Sequence, residues 1–287
     1  GVLTATSFAG SGANLTGLSS VTSLNGLSDA TVTATNNLGI GSNAVDSITT
    51  GDYNVGLGAD SLTATTEGHR NTAVGVDSMK AHTTGNNNTA LGYQALLADT
   101  TGAQNVAVGR SALIANTTAA DNTAIGTNAM SANTTGASNT AVGKEALTAN
   151  TTGGDNTAVG YQALTASTTG HSNTVVGKLA GAAITTGAEN TLMGERSGDA
   201  ITTATNNTGI GHKALSALTT GDNNTALGSE AAETITTGTN NVAVGNFALR
   251  YNTTGGKNTA LGYHSAVSCV DGGENVAIGY QALDALT

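Results

Sequence analysis

The chain has 287 residues and a mass of 27.9 kDa, with 40 Gly, no Pro, no Trp, one Cys and a formal net charge of −10. Only 10% of the residues are charged and 3% aromatic, and the nine Lys and Arg are scattered, which argues against a bulky globular core and a nucleic-acid-binding surface. A single Cys excludes an internal disulfide framework, and no apolar run approaches the roughly 18 residues of a membrane span. Abundant Gly without Pro favours regular strand pairing, in which every backbone N–H is needed.

Residues 1–36 differ in pattern from the rest of the chain. The segment at 15–19, LTGLS, recurs nine residues later as LNGLS at 24–28. We interpret 1–36 as a shaft or capping segment with nine-residue repeats, which covers the first edge of the structure that follows. A disordered tail is the alternative interpretation.

Residues 37–287 repeat every 17 residues without insertion or deletion. An Asn begins each of the fifteen units, a Gly stands four residues later, and Ile, Val, Leu or Met directly precedes that Gly. A well-preserved unit is NTAVGYQALTASTTGHS at 156–172. Seventeen residues are too few for a pair of helices, and Asn, Thr and Gly disfavour helix. The pattern therefore predicts an all-β fold, a parallel β-solenoid (β-roll) of about fifteen 17-residue coils.

Stacking of equivalent residues explains the fixed positions of the repeat. Successive coils lie at roughly 4.8 Å, so fifteen coils would form a rod of roughly 70 Å. An Asn column can pass amide hydrogen bonds from coil to coil, and a Gly column lets the backbones approach closely. A row of amides that binds a ligand is the weaker alternative. The predicted structural ladder includes Asn71, Gly75, Asn88, Gly92, Asn105, Gly109, Asn156, Gly160, Asn275 and Gly279.

Each coil is expected to hold two short strands joined by two tight turns. Alternation along NTAVG places Thr157 and Val159 on one face and Ala158 on the other. We expect the Val159 and Leu164 columns to form a thin interior. Small residues on the Ala158 face would then allow three rolls to pack closely, with a monomeric solenoid as the alternative.

Four Tyr residues share the first position after the fixed Gly. Tyr93, Tyr161, Tyr263 and Tyr280 are candidate surface contacts, because aromatic platforms bind sugars. Tyr263 and Tyr280 belong to consecutive coils, so their rings are expected to stack on the outer turn. The alternative is that neighbouring rings merely shield one another.

The repeat distributes polar groups evenly, whereas catalysis needs them to converge. Asp60 and Asp77 occupy one column about 5 Å apart, a separation that suits a cation or a retaining glycosidase pair. Solvated turn carboxylates are the favoured interpretation of this pair. The five His lie at different repeat positions and are expected to be solvated. We therefore predict no catalytic, metal-binding or cofactor-binding residue, and no cofactor.

The repeat unit resembles those of bacteriophage and prophage tail-fibre proteins, in its NTAVGYQAL core and its NTTG turn. The run from Asn275 to Gly279, NVAIG, is similar to the head repeat of trimeric autotransporter adhesins. The adhesin resemblance implies a left-handed parallel β-roll assembled as a homotrimer. Residues 1–36 are similar to the linker and shaft modules that precede such arrays in phage fibres.

The resemblance implies a non-enzymatic structural segment of an extracellular trimeric fibre, which acts as a rigid spacer and in host-surface attachment. The expected location is a virion tail or a bacterial cell surface. The expected partners are further copies of the chain and a cell-surface glycan or protein receptor, with no nucleic acid and no membrane insertion by this segment. The main alternative is an adhesin head that binds host matrix or glycans. Less favoured are a polysaccharide-degrading tailspike, which would need irregular coils, and an ice-binding protein, which would need an exposed Thr-x-Thr face.

Overall fold

The computed structural model describes residues 30–31 and 36–284, and in these residues the chain is all-β, with one sheet and no helix. Sixteen strands follow one another in sheet order as in sequence order, and all pairings from β2 onward are parallel. This arrangement confirms the predicted β-solenoid. The strands are β1 (Ala30–Thr31), β2 (Leu38–Ile40), β3 (Val55–Leu57), β4 (Thr72–Val74), β5 (Thr89–Leu91), β6 (Val106–Val108), β7 (Thr123–Ile125), β8 (Thr140–Val142), β9 (Thr157–Val159), β10 (Thr174–Val176), β11 (Thr191–Met193), β12 (Thr208–Ile210), β13 (Thr225–Leu227), β14 (Val242–Val244), β15 (Thr259–Leu261) and β16 (Val276–Ile278).

Residues paired between neighbouring parallel strands are separated by one 17-residue period of the sequence. Thr157 lies opposite Thr174, and Val159 opposite Val176, each 17 residues apart. The same offset relates every pair of neighbours from β2 to β16, as at Leu38 and Val55. Each repeat position therefore becomes a straight column along the rod, so one inserted residue would misalign every later column.

Each coil contains one strand, and the prediction of a second strand is wrong. The segment after the fixed Gly forms turns from Tyr161 to Ala166. Gln162 and Leu164 adopt φ of 53°, and Ser172 adopts φ of 57°. These left-handed conformations cannot belong to an extended strand, so the coil closes through successive tight turns instead.

The interior lies behind the middle residue of each strand. Ala158, Ala163 and Leu164 are fully buried, whereas Thr157 and Val159 on the opposite face are half-buried. The expectation that Val159 faces the interior is therefore wrong, and packing of three rolls through the Ala158 face is wrong with it. The reason is space: a strand packed directly on the turn segment of its own coil leaves room for a methyl group, and the branched residue points outward.

The first edge of the parallel sheet is paired with β1. Ala30 lies opposite Ile40 and Thr31 opposite Gly39 in an antiparallel pairing. The nine-residue repeats predicted at 15–28 lie outside the described residues. Nowhere in the described ranges does the chain form a helix long and apolar enough to cross a membrane.

Candidate interaction surfaces

The Asn column forms a continuous hydrogen-bonded ladder inside the rod. Asn156 donates from its Nδ2 to Asn139 Oδ1 at 3.1 Å and to the Gly170 carbonyl of its own coil at 2.8 Å. Its Oδ1 in turn accepts from the backbone N–H of Asn173 at 3.1 Å. One side chain thus closes its own coil and joins it to both neighbours, which leaves no unpaired amide for a ligand.

The predicted ladder residues face neighbouring coils. Asn71, Asn88, Asn105 and Asn156 are buried, and Asn275 in the last described coil is half-buried. The fixed Gly have φ values that suit only Gly, such as 136° at Gly160. A Cβ there would lie 2.6 Å from the Gly177 carbonyl oxygen. The same left-handed conformation recurs at Gly75, Gly92, Gly109 and Gly279.

The outer face of the sheet carries an unbroken apolar stripe. At the third residue of every strand from β2 to β16 an aliphatic side chain points away from the interior. Leu91 is 48% exposed and Met193 45%, while the Val members are half-buried between their neighbours. We call this set the outer aliphatic column. Its members are Ile40, Leu57, Val74, Leu91, Val108, Ile125, Val142, Val159, Val176, Met193, Ile210, Leu227, Val244, Leu261 and Ile278.

The structure brings two of the four candidate Tyr contacts together. The rings of Tyr263 and Tyr280 stack with centroids 5.5 Å apart and an angle of 11° between their planes. Tyr161 lies instead beneath the Lys144 ammonium, 5.7 Å from its Nζ, and Tyr93 is 49% exposed in a distant coil. The Tyr column is therefore a cluster only at the C-terminal end of the described residues.

The candidate carboxylate pair is bridged by a lysine of the chain. Lys80 Nζ lies 2.9 Å from both Asp60 Oδ2 and Asp77 Oδ1. A hydrogen bond from Asn43 and this ammonium together lower the pKa of Asp60. The lowered pKa of Asp60 favours its ionised form, which does not suit a glycosidase acid that must keep its proton.

One histidine contradicts the expectation of five solvated rings. His82 is fully buried, whereas the other four are exposed or half-buried. His82 Nε2 lies 3.3 Å from Asn88 Nδ2, and Nδ1 lies 3.2 Å from Thr65 Oγ1, so both ring nitrogens have polar neighbours. Burial lowers the pKa of His82 to about 4, which keeps the ring neutral at physiological pH.

His82 belongs to a buried polar stack that sequence reasoning missed. Its carboxylate neighbour, Asp99, accepts from Asn116 Nδ2 at 2.7 Å, and burial raises the pKa of Asp99 to about 7. Asn133 and Asn150 extend the stack by donating to the preceding amide at 3.2 and 2.7 Å. We call the repeat position of these residues the inner column. Its polar members from Thr65 onward are Thr65, His82, Asp99, Asn116, Asn133, Asn150, Ser167 and Asn252.

The buried side-chain atoms without a hydrogen-bond partner among the described residues share this position. They are Asp99 Oδ2, Asn150 Oδ1, Ser167 Oγ and Asn252 Oδ1. His82 Nε2 lies 3.8 Å from Asp99 Oδ2, too far for a hydrogen bond. The signal in the sequence was the 17-residue spacing of His82 and Asp99 beside a run of Asn at the same position.

Across residues 30–31 and 36–284, no three His, Cys, Asp or Glu side chains lie close enough together to hold a metal ion. Cys269 is a buried free thiol at the inner column. Comparison of the chain with protein-family models, with curated proteins and with solved structures gave no match.

Proposed function

We propose that this chain is a non-enzymatic structural segment of an extracellular trimeric fibre, and that it serves as a rigid spacer and in attachment to a host surface. The observation that carries the proposal is the outer aliphatic column, which runs along all fifteen parallel strands. Soluble monomers rarely expose so long a contiguous apolar stripe. Lateral packing against the same column of further copies would remove it from water.

The rigidity of the rod follows from the hydrogen bonds that join successive coils. Every coil is joined to the next by strand pairing, by the Asn ladder and by backbone bonds in the turns, such as Leu164 N–H to the Ala180 carbonyl at 3.0 Å. Bending the rod would lengthen all of these bonds on one side at once. A repeat with no variation in coil length therefore suits a stiff spacer better than a binding module with grafted loops.

The copy number of three and the extracellular location, on a virion tail or a bacterial surface, rest on the resemblance to tail-fibre and trimeric adhesin repeats. An adhesin head that binds host matrix or glycans would use the same assembly. The ion pairs of Lys80 with Asp60 and Asp77 support the non-enzymatic part of the proposal, since Asn43 and Lys80 lower the pKa of Asp60 whereas a glycosidase acid must keep its proton.

Light scattering on the purified chain tests the assembly. We expect a mass near three times 27.9 kDa for the unmodified chain, and a mass near 27.9 kDa for the double variant Val142→Lys with Val159→Lys. The matched control is Thr148→Lys with Thr165→Lys, because the same repeat position already holds Lys80 and Arg250. A monomeric unmodified chain, or equal masses for both variants, would contradict the proposal.

A second candidate function has one observation in its favour. The outer face also carries a column of Thr, including Thr140, Thr157 and Thr174, beside the aliphatic column at the strand spacing. A flat face of this kind suits ice binding if it stays exposed. Inhibition of ice recrystallisation by a monomer would support that candidate, whereas a trimer without such inhibition would support the fibre.

A further inference from the structure

Aromatic rings are concentrated on the turns of the last described coils. Tyr263 stacks on Tyr280 at 5.5 Å, His264 lies against Tyr263 at 4.3 Å, and Phe247 meets His264 edge-on at 5.0 Å. Together with Tyr251 these rings form a surface that we call the aromatic strip. Its members are Phe247, Tyr251, Tyr263, His264 and Tyr280.

An arginine held by two carboxylates fixes one end of the aromatic strip. The Arg250 guanidinium lies 4.7 Å from the Phe247 ring centre and 5.2 Å from that of Tyr251. Its Nη2 contacts Glu230 at 2.7 Å, and its Nε donates to Glu233 at 2.8 Å. These bonds fix the position of the guanidinium beside the two rings, which pre-organises this end of the strip.

The aromatic strip stays accessible. Tyr251 is 47% exposed, Tyr263 44% and Tyr280 72%. Within the described residues, ring–ring contacts occur only in this strip. Tyr161, at the same repeat position as Tyr263 and Tyr280, has a lysine over its ring instead of another aromatic residue. The repeat therefore does not require such a cluster, and stacking of adjacent coils does not explain it.

We propose that the aromatic strip is a binding site for neutral carbohydrate, and this inference rests on the proposed role in surface attachment. Aromatic faces pack against the C–H faces of sugar rings and gain from burying them. Glu230, Glu233 and Arg250 line the same surface with the acceptors and donors that hydroxyl groups need. Two carboxylates per guanidinium and a chain charge of −10 disfavour polyanionic ligands such as sulfated glycans.

The test uses the full chain and defined oligosaccharides. Calorimetric titration with cellohexaose, chitohexaose, maltohexaose, mannohexaose and, as a polyanionic comparison, heparin is followed alongside tyrosine emission. Three of the six Tyr belong to the strip, and no Trp masks their emission. We expect at least one of these neutral sugars to bind. We expect Tyr263→Ala and Tyr280→Ala each to weaken that binding at least tenfold, and Tyr161→Ala to leave it unchanged. Tyr280→Ala guards against misfolding, because Tyr280 is largely exposed in the last described coil.

Three results would overturn the proposal: no binding to any of the four sugars, an equal loss with Tyr161→Ala, or binding to heparin alone. Light scattering on the same variants separates this site from the assembly. An unchanged mass with lost sugar binding supports the site. If the chain is a trimer but binds none of the sugars, the binding site is disproved and the fibre proposal is unaffected.

Discussion

Two regions of the solenoid share one backbone and differ in what fills the inner column. In the polar region, 54–172, this column runs from Thr65 to Ser167 and holds His82, Asp99 and three Asn. In the apolar region, 173–240, it holds Ile184, Ile201, Leu218 and Ile235, all fully buried. Strand register and the Asn ladder are the same in both. The fixed Asn and Gly therefore maintain the coil, whereas interior positions can exchange polarity.

In two coils of the apolar region, a smaller residue at one interior position is accompanied by a larger residue at another. Where the left-handed position that usually holds Leu becomes Gly181 or Gly198, the middle strand residue enlarges from Ala to Val175 or Leu192. A Cβ on Gly181 would lie 3.1 Å from Ile184 Cδ1, so the larger neighbours have filled the vacated space. In these two coils the volume lost at one repeat position is thus regained at another, as dense packing requires.

Substitution of a fixed Gly is expected to lower the free energy of unfolding most, and by the same amount in both regions. Gly109 in the polar region and Gly228 in the apolar region have φ of 131° and 140°, and a Cβ on either would lie 2.6 Å from the carbonyl oxygen of the Gly above. We expect Gly109→Ala and Gly228→Ala each to cost about 5 kcal/mol, from backbone strain and overlap together. Urea denaturation followed by circular dichroism measures both. Clearly unequal losses of unfolding free energy would show that the two regions also differ at the fixed Gly positions.

Exchanging inner-column residues should separate the two regions. Ile201→Asn places an amide in an apolar stack and loses aliphatic packing, so we expect a cost of about 4 kcal/mol. Asn133→Ile removes its bonds to the neighbouring amides but adds apolar burial, so we expect about 1 kcal/mol. Urea midpoints of both variants give the comparison, with Ile201→Leu as the control at below about 1.5 kcal/mol. Equal costs would mean that the inner column does not define two regions.

Acid should affect the regions differently, because the polar region holds the buried His82 and Asp99. With Asp99→Asn, His82 remains neutral in the folded chain down to about pH 4, while the unfolded chain binds its proton below 6.5. The free energy of unfolding of this variant therefore has its full value above pH 6.5, and it falls by about 3 kcal/mol on acidification toward pH 4.5.

In the unmodified chain, protonation of Asp99 offsets this loss of stability. The folded-state pKa of Asp99 is about 7 against an ordinary 3.8, so the folded chain takes up a proton on Asp99 where the unfolded chain takes one up on His82. We expect the urea midpoint of the unmodified chain to change little between pH 4.5 and 6.5, and that of Asp99→Asn to fall. A similar pH dependence of both chains would disprove the compensation.

The periodic part of the fold was predictable from the sequence, and the direction of the side chains was not. The Asn and Gly spacing defines coil length and register, because both depend only on the period. Alternation along NTAVG separates Val159 from Ala158 but does not reveal which of them faces the interior. That choice depends on the left-handed turn at Leu164, which brings the coil wall too close to the strand for a branched residue. The predicted ring stack of Tyr263 on Tyr280 is present, because their columns are aligned.

The polar inner column and the remaining members of the aromatic strip were not predicted, for a related reason. The interpretation of His82 as solvated rests on the usual exposure of polar side chains in Thr-rich turns. Phe247 and His264 lie one position after the Tyr column, and only the turn geometry places their rings beside it. In both cases the missing information was the path of the turns. Four of the 17 residues of a coil, the fixed Gly among them, define that path through left-handed conformations.

The most direct test of the fibre proposal is small-angle X-ray scattering coupled to size-exclusion chromatography, which gives mass and length from one sample. Packing through the outer aliphatic column is lateral, so we predict a particle of about three chain masses whose solenoid part is about 70 Å long. A single chain mass would contradict the account, and so would a length that triples together with the mass.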